Sequence, residues 1–273
     1  MVWLPASTHW KFLRKIAVTQ MFTSQRLDAS QALRGKKVQE LLEYVHENCN
    51  NGQAVDIGKS VLTTVLNLIS NTFFSHDIAS YNSDLSQEFS YLVLGVMEYI
   101  GKPNIADYFP ILRLVDPQGV RRKTNNYFKR LNHILDSIIS ERNRLRSSSV
   151  ASKACHDVLD ALLILVEEEN TELSFADIKA LLRDFFMAGS DTTSSTVEWA
   201  MAELLLNPDK LVKAKTELQE VDGPMVHLTL ASLVHSFDWK IADGLTPQDI
   251  DMSETFGITL HKREPLQAIP MKT

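Results

Sequence analysis

The clearest structural signal in the chain is the segment at residues 174–206, SFADIKALLRDFFMAGSDTTSSTVEWAMAELLL. Ser174 followed by Asp177 is typical of a helix start. Asn207-Pro208 is typical of a helix end, because the residue before a proline is pushed out of the helical region. Between these limits apolar residues recur at helical spacing, at Phe175, Ile178, Leu182, Phe185, Val197, Met201 and Leu204. The pattern predicts one long helix with a buried face.

The centre of this predicted helix conflicts with its ends. Every residue from 189 to 196 is Gly, Ser, Thr or Asp, which costs about 0.5 kcal/mol per residue relative to alanine, or about 4 kcal/mol for the patch. A local conflict inside a consistent element is expected at functional sites. Gly189 would let a flat ligand approach the backbone, a mid-helix threonine can bond back to a carbonyl one turn earlier, and Asp191 can relay protons. A surface turn of small polar residues, or a close crossing of two helices, is the alternative.

Residues 185–203, FFMAGSDTTSSTVEWAMAE, resemble the oxygen-activation helix of the cytochrome P-450 haem-thiolate monooxygenases. Within that family they resemble the plant enzymes that hydroxylate terpenoids such as geraniol. The resemblance implies that Ala188 and Gly189 face haem and oxygen. It also implies that Asp191 and Thr192 are the acid and the alcohol that deliver protons to iron-bound oxygen.

The composition sets limits on the class of protein. With 273 residues, of which 44% are hydrophobic and 23% charged, the chain is expected to be globular, with one large or two small domains. A net charge of −6 and a pI near 5.8 argue against nucleic acid as a partner. The two cysteines, Cys49 and Cys155, form neither a disulfide framework nor a zinc-binding pattern, which favours a reducing compartment.

The sequence contains no apolar run that approaches the roughly 20 residues needed to span a bilayer. The first residues, MVWLPASTHWKF, lack the cationic start and apolar core of a signal peptide. Plant members of the family begin with an anchor and sit on the endoplasmic reticulum membrane. The resemblance therefore implies that this sequence starts inside the catalytic domain, truncated at its N-terminus. We expect it to be cytoplasmic or loosely associated with membrane.

Trp10 and Arg14 are four residues apart and share a face of the first predicted helix. They resemble the family's W-x-x-x-R helix, whose Trp and Arg hydrogen-bond a haem propionate; an arginine suits a carboxylate because its planar fork is always charged. Lys11 and Lys15 add positive charge, and this basic face resembles the surface that receives the NADPH-cytochrome reductase. An exposed amphipathic helix with a packed tryptophan is the alternative.

The remaining periodic segments predict further helices, at residues 36–48, 56–74, 86–101, 118–146, 156–169, 208–221 and 225–237, with a loop at 104–117. The cationic face of the 118–146 helix is interpreted as solvated, since no reading motif for nucleic acid accompanies it. Residues 256–260 are predicted to be a short strand. These segments predict a mainly α fold with a small C-terminal β element, and the resemblance implies that it is an incomplete cytochrome P-450-like helical domain.

The tail resembles the family's last helix and its closing β-hairpin. This resemblance implies that Phe256, Gly257 and Ile258 reach the substrate, which in the family is a small apolar terpenoid.

The sequence departs from the family between Val221 and Met225. The family has there a helix with Glu-x-x-Arg, a folded meander and a loop F-x-x-G-x-R-x-C-x-G, and none of them is present. The cysteine of that loop is the thiolate ligand of the haem iron. Neither Cys49, at a helix end, nor Cys155, beside a serine-rich connector, has this signature. We predict two parts: 1–221, a partial catalytic domain, and 222–273, a partial C-terminal region joined across a deletion.

Three functional hypotheses follow. The first is haem-dependent monooxygenation of a terpenoid with O2 and electrons from an NADPH reductase, as the resemblance implies. The second is a catalytically dead remnant, because the axial cysteine ligand is missing. The third is a non-catalytic helical protein that binds a partner, such as the reductase or an intact relative, through its basic first helix. We expect the chain in this form not to hold haem stably.

Overall fold

The structure is a computed structural model that describes residues 1, 4–81, 84–147, 157–168, 171–218 and 224–272. Helices dominate these ranges, which confirms the mainly α prediction. The ten α-helices in the described ranges are α1 (Thr8–Met21), α2 (Ser24–Asn51), α3 (Ile57–Phe74), α4 (Asp84–Gly101), α5 (Ile105–Tyr108), α6 (Val120–Ser147), α7 (Val158–Glu167), α8 (Phe175–Leu206), α9 (Pro208–Glu217) and α10 (Met225–Ser236). Within the described part of the chain, every helix is too short or too polar to cross a membrane.

Helix α8 is the segment predicted from its caps, and its ends confirm the prediction. Ser174 Oγ accepts a hydrogen bond from the Asp177 N–H at 3.2 Å, while Asp177 Oδ2 accepts one from the Ser174 N–H at 3.1 Å. These reciprocal bonds satisfy two N–H groups that the first turn leaves without helical partners. Pro208 then begins α9 directly after Asn207.

The polar centre does not interrupt α8. The hydroxyl groups of Thr192, Thr193 and Thr196 donate to the carbonyl oxygens four residues earlier, at 2.7, 2.9 and 2.7 Å. Ser190, Ser194 and Ser195 are buried against neighbouring elements. Tertiary packing therefore stabilises a stretch whose intrinsic helix propensity is low.

Two hydrophobic clusters share α8 as their common wall. The first lies around its N-terminal half and includes Leu13, Phe74, Leu92, Leu135, Leu159 and Phe186. The second lies around its C-terminal half and includes Leu41, Val61, Val197, Val234 and Trp239. Ile69 of α3, the helix that packs most extensively on α8, contacts both clusters. α3 and α8 therefore form the centre of the fold.

The β structure is larger than the single element predicted. The strands β1 (Val55–Asp56), β5 (Gln267–Lys272) and β2 (Phe237–Ile241) form an antiparallel sheet in that order, with Trp239 opposite Pro270 and Val55 opposite Ala268. The strands β3 (Glu254–Thr255) and β4 (His261–Lys262) form a separate pair. A two-residue strand such as β1 shows no periodicity, so the sequence could not reveal it.

Several predicted boundaries are wrong. Residues 256–260 are not a strand but the turn between β3 and β4. Helix α2 begins at Ser24 rather than at residue 36, because Thr23 caps it by accepting from the Arg26 N–H. The segment at 104–117, predicted as a loop with one short turn, contains two short helical pieces, α5 and a 3-10 turn at Pro110–Leu114. Cys155 and the predicted junction after residue 221 lie outside the described residues.

Candidate functional site

Helix α8 has one open face in its polar centre. Ala188, Thr192 and Thr196 are exposed and succeed one another at intervals of four residues, so they form a stripe along one side of the helix. We call these three residues the open stripe. The Thr192 and Thr196 hydroxyls donate to helix carbonyls and keep lone pairs free to accept a further hydrogen bond. The stripe is therefore a shallow surface of small side chains that a flat group could cover.

Gly189 lies on a different side of α8 from the open stripe. A Cβ atom at this position would lie 3.0 Å from Cδ1 of Ile69 in α3, which is closer than an ordinary contact. The absence of a side chain therefore allows α3 and α8 to approach each other. This geometry fits the alternative that the sequence left open, a close crossing of two helices, and it separates Gly189 from its neighbour Ala188.

Asp191 is wholly buried and does not lie on the open stripe beside Thr192. Its Oδ1 atom is 3.0 Å from Nε2 of His261 in β4. The carboxylate of Asp191, as an acceptor for the imidazole, raises the pKa of His261, although burial of the imidazole opposes this change. The predicted acid is therefore held in an ion pair, while the predicted alcohol faces outwards.

Three further side chains of α8 bind the chain on either side of His261. Ser195 Oγ and Trp199 Nε1 both donate to the Leu260 carbonyl, at 2.7 and 2.9 Å. Glu198 Oε1 accepts a hydrogen bond of 2.9 Å from the Leu266 N–H. Burial raises the pKa of Glu198. We call residues 260–266 the docked segment, since successive turns of α8 hold it.

Sequence reasoning missed Ser195, Glu198 and His261 as members of this arrangement. Only Glu198 is indicated by a sequence pattern. Its carboxylate lies next to Val197 and near Met201 on an apolar face, and a buried carboxylate requires a polar partner. The partners of all three residues lie more than 60 positions away in the chain, and no local pattern indicates them.

The turn that contains Phe256, Gly257 and Ile258 lies against the end of α4. A Cβ atom on Gly101 would come within 2.5 Å of the Ile258 nitrogen, so the two backbones are in close contact. Phe256 and Ile258 are exposed. A cavity of about 360 Å³ is lined by Phe256 and Gly257 together with Asp191. The structure thus brings two of the predicted substrate residues to the predicted acid.

Trp10 and Arg14 lie on α1, as the sequence predicted. The Arg14 guanidinium stands 5.4 Å from the centre of the Trp10 ring, a cation–π geometry. Arg14 is exposed, and no carboxylate in the described ranges pairs with it. A hydrogen bond of 2.8 Å between His9 Nε2 and Asp177 Oδ1 joins α1 to the first turn of α8. Arg14 is therefore accessible to an anionic group of a ligand.

Within the described ranges, the donor atoms do not fit a thiolate-ligated haem. In the described ranges, no three His, Cys, Asp or Glu side chains are grouped as metal ligands. Cys49 is half-buried in the last turn of α2, packed against the second hydrophobic cluster. Cys155 is outside the described residues. The open stripe and Arg14 could contact a flat anionic cofactor, but the described residues offer no thiolate beside them.

The chain is similar to several known proteins. Residues 2–224 match the family model described as Cytochrome P-450. The chain is 49% identical to cytochrome P-450 76AD1 of Beta vulgaris over 382 positions, which cover 99% of this chain and 76% of that protein. It is 50% identical to a Beta vulgaris protein named inactive cytochrome P-450 76AD1 over 223 positions, 82% of this chain and 53% of that protein. It is 32% identical to geraniol 8-hydroxylase of Catharanthus roseus over 380 positions, 98% of this chain and 76% of that protein.

The length of these alignments reveals a gap. The alignment to cytochrome P-450 76AD1 has 382 positions and this chain has 273 residues, so at least 109 positions of the relative have no counterpart here. The family-model match ends at residue 224, whereas the longer alignment covers almost the whole chain. The C-terminal residues therefore also resemble the relatives, beyond a missing portion.

Proposed function

Because this chain belongs to the cytochrome P-450 family, we propose that it is a shortened form of a terpenoid-hydroxylating monooxygenase that does not itself hydroxylate. In the intact family, haem with an axial thiolate activates O2, and an NADPH reductase supplies the electrons. The relative named geraniol 8-hydroxylase supports a terpenoid as the substrate class of the lineage. The relative named inactive supports the view that a protein similar to this chain can lack activity.

The observation that carries this proposal is the open stripe. Most residues of α8 around it are buried or half-buried, yet Ala188, Thr192 and Thr196 are exposed over two turns in the middle of the fold's central helix. A stripe of small side chains on a central helix is suited to contact a flat ligand. Its exposure is what we expect if the segment that faced it from the other side is missing.

The proposed roles follow the geometry of the surviving half. Ala188 would border the haem, whereas Gly189 would let α3 pack closely against α8. Thr192 would offer its hydroxyl to bound oxygen, and Arg14 with Trp10 would meet a propionate. Asp191 would act from its buried pair with His261, and the turn at Phe256, Gly257 and Ile258 would border the substrate. We propose that the two parts, 1–221 and 222–273, are joined across the missing portion, and the end of the family-model match at residue 224 supports a junction in this region.

The test is a reduced, carbon-monoxide-bound absorption spectrum of the purified chain with added haem. We expect no band at the red-shifted position specific for a thiolate ligand, and no product from geraniol with reductase and NADPH. A strong thiolate band would contradict the proposal. The variants Cys49→Ser and Cys155→Ser would then show which sulfur ligates the iron.

A second candidate function is binding of the reductase without catalysis. Lys11, Arg14 and Lys15 are exposed on α1, and none of them pairs with a carboxylate of a described residue. A basic surface of this kind favours an acidic partner. We expect the chain to bind an NADPH-cytochrome reductase at low salt, and Lys11→Glu with Lys15→Glu to abolish binding. Lys213→Glu, on the exposed surface of α9, is the matched control; equal binding by both variants would reject this candidate.

A further inference from the structure

A second cavity, separate from the open stripe, lies between α2, α3 and α8. Its volume is about 550 Å³, which is within the usual range of small-molecule sites. Its walls are largely apolar and include Phe22, Leu33, Ile69, Phe73 and Phe185. The cavity is therefore large enough and apolar enough to hold an aliphatic chain.

Two arginines of α2, Arg26 and Arg34, line this apolar cavity. Arg34 donates through Nη1 to Ser30 Oγ at 2.5 Å and to the Leu27 carbonyl at 3.3 Å. Its Nε–H is buried and has no acceptor among the described residues. No carboxylate of a described residue pairs with Arg26. A buried donor without an acceptor is costly. An anionic or carbonyl oxygen that accepted from the Arg34 Nε–H would remove this cost.

The acidic side chain at the edge of the cavity does not meet this need. Asp157 lines the cavity, but Arg142 Nη1 binds both of its carboxylate oxygens, at 2.9 and 2.8 Å. Ser75 Oγ donates to the same carboxylate at 2.8 Å. The charge of Asp157 is thus balanced by Arg142, which is not one of the residues that line the cavity. The cavity keeps an excess of positive charge next to apolar walls.

We propose that this cavity binds an amphipathic carboxylate, such as a medium-chain fatty acid. Its two carboxylate oxygens would match the planar fork of the Arg34 guanidinium, with Arg26 as a second cation. The aliphatic tail would lie among Phe73, Phe185 and Ile69, where each buried CH2 group adds about fourfold in affinity. This site requires neither haem nor the missing portion, so it does not depend on the proposed function.

The test compares dodecanoate with dodecanol, its neutral analogue, by displacement of the fluorescent acid cis-parinarate from the purified full chain. We expect dodecanoate to bind at least tenfold more tightly than dodecanol. Arg34→Gln and Arg26→Gln should each weaken dodecanoate about tenfold and leave dodecanol unchanged. Arg144→Gln, an exposed arginine of α6 paired with Glu141, should change neither. Circular dichroism of each variant verifies the fold.

Ala29→Trp tests the cavity independently of charge. Ala29 is exposed on α2 and lines the cavity, so a large side chain can fill the space without entering the core. We expect this variant to weaken both ligands. If Arg34→Gln does not fold, Arg26→Gln and Ala29→Trp decide. Equal affinity for dodecanoate and dodecanol, undetectable binding of dodecanoate, or full binding by Ala29→Trp would overturn the proposal.

Discussion

Nε2 of His261 lies 3.0 Å from Oδ1 of Asp191, a wholly buried carboxylate in the polar centre of α8. This contact gives the polar composition of that centre a structural role. Together with Ser195, Glu198 and Trp199, Asp191 holds the docked segment against α8. The residues that weaken the helix as an isolated element thus fasten a distant part of the chain to it.

The attachment of the docked segment should weaken as pH rises. The pKa of His261 is raised above its ordinary value of 6.5 by its hydrogen bond to Asp191. The stabilisation is therefore complete below about pH 6.5 and is lost as pH rises through the higher pKa of the folded state. Lys262 and Glu198 also border the imidazole, as does Glu98 of α4 across the 360 Å³ cavity. Once the base-catalysed intrinsic exchange rate is divided out, the hydrogen-exchange protection factors of residues 254–266 should be lower at pH 9 than at pH 6.

Two variants identify the titrating group in this prediction. His261→Gln should remove most of the pH dependence above pH 6.5. Glu198→Gln should leave the pH dependence above pH 6.5 in place. Burial also raises the pKa of Glu198, so this carboxyl group contributes its own loss of stability with rising pH, from about pH 4.5 upwards. An unchanged exchange profile in His261→Gln would assign the pH dependence to another group.

Two glycine substitutions should have opposite effects on stability. Gly101→Ala would place a Cβ atom 2.5 Å from the Ile258 nitrogen and 2.7 Å from the Gly257 carbonyl carbon, and backbone atoms cannot yield cheaply. We expect a loss of about 1–3 kcal/mol in the free energy of unfolding. Gly35→Ala, inside α2 with no atom within 4 Å of the new Cβ, should gain about 0.5–1 kcal/mol. Urea unfolding measures both, and a gain from Gly101→Ala would contradict the close contact.

Arg142 should be far more important for stability than its neighbour Arg144. Its guanidinium lies between Asp157 and Asp160, and the three side chains are only 11%, 4% and 7% exposed. Arg142→Ala would leave two buried carboxylates without a cation, at a cost of about 3–5 kcal/mol. Arg144→Ala, whose side chain is 71% exposed, should change stability by about 0.5 kcal/mol or less. Similar unfolding midpoints for the two variants would show that the buried pair contributes little.

The sequence predictions were accurate where interactions between residues close in the chain define the structure. The ends of α8 were predictable because its capping box and Asn207-Pro208 are local signals. The apolar spacing also predicted α3 and α10 within a residue or two. The start of α2 was missed, since residues 24–35 carry few apolar side chains and only the Thr23 cap marks their helix.

The site depended on information that local patterns do not carry. The small residues of α8 were identified from the sequence, but not the faces on which they lie. Ala188 and Thr192 are exposed, Gly189 packs on Ile69, and Asp191 is paired with a residue 70 positions away. Consecutive helical residues project about 100° apart, so neighbours in a motif need not share an environment. The roles assigned to them from the resemblance remain predictions.

Restoring the missing portion should restore the haem site. We propose a chimera in which the portion of cytochrome P-450 76AD1 of Beta vulgaris that has no counterpart here is inserted between residues 221 and 225. The remaining chain is about half identical to that protein, so its helices should accept the insert. Reduced, carbon-monoxide-bound spectra should then show the thiolate band, which we expect to be absent from the parent chain. The control is the same chimera with the ligand cysteine of the insert replaced by serine, which should show no such band.

Within that chimera, Thr192→Ala separates a role in proton delivery from a role in packing. Thr192 is exposed, and its hydroxyl bonds only to the Ala188 carbonyl among the described residues. Its loss should therefore leave the fold and the thiolate band unchanged. If its hydroxyl helps to deliver protons, more NADPH should be consumed per molecule of hydroxylated product. Thr196→Ala, one turn further along the same stripe and also bonded back to the helix, is the matched control. Equal coupling in the two variants would leave Thr192 with no part in proton delivery.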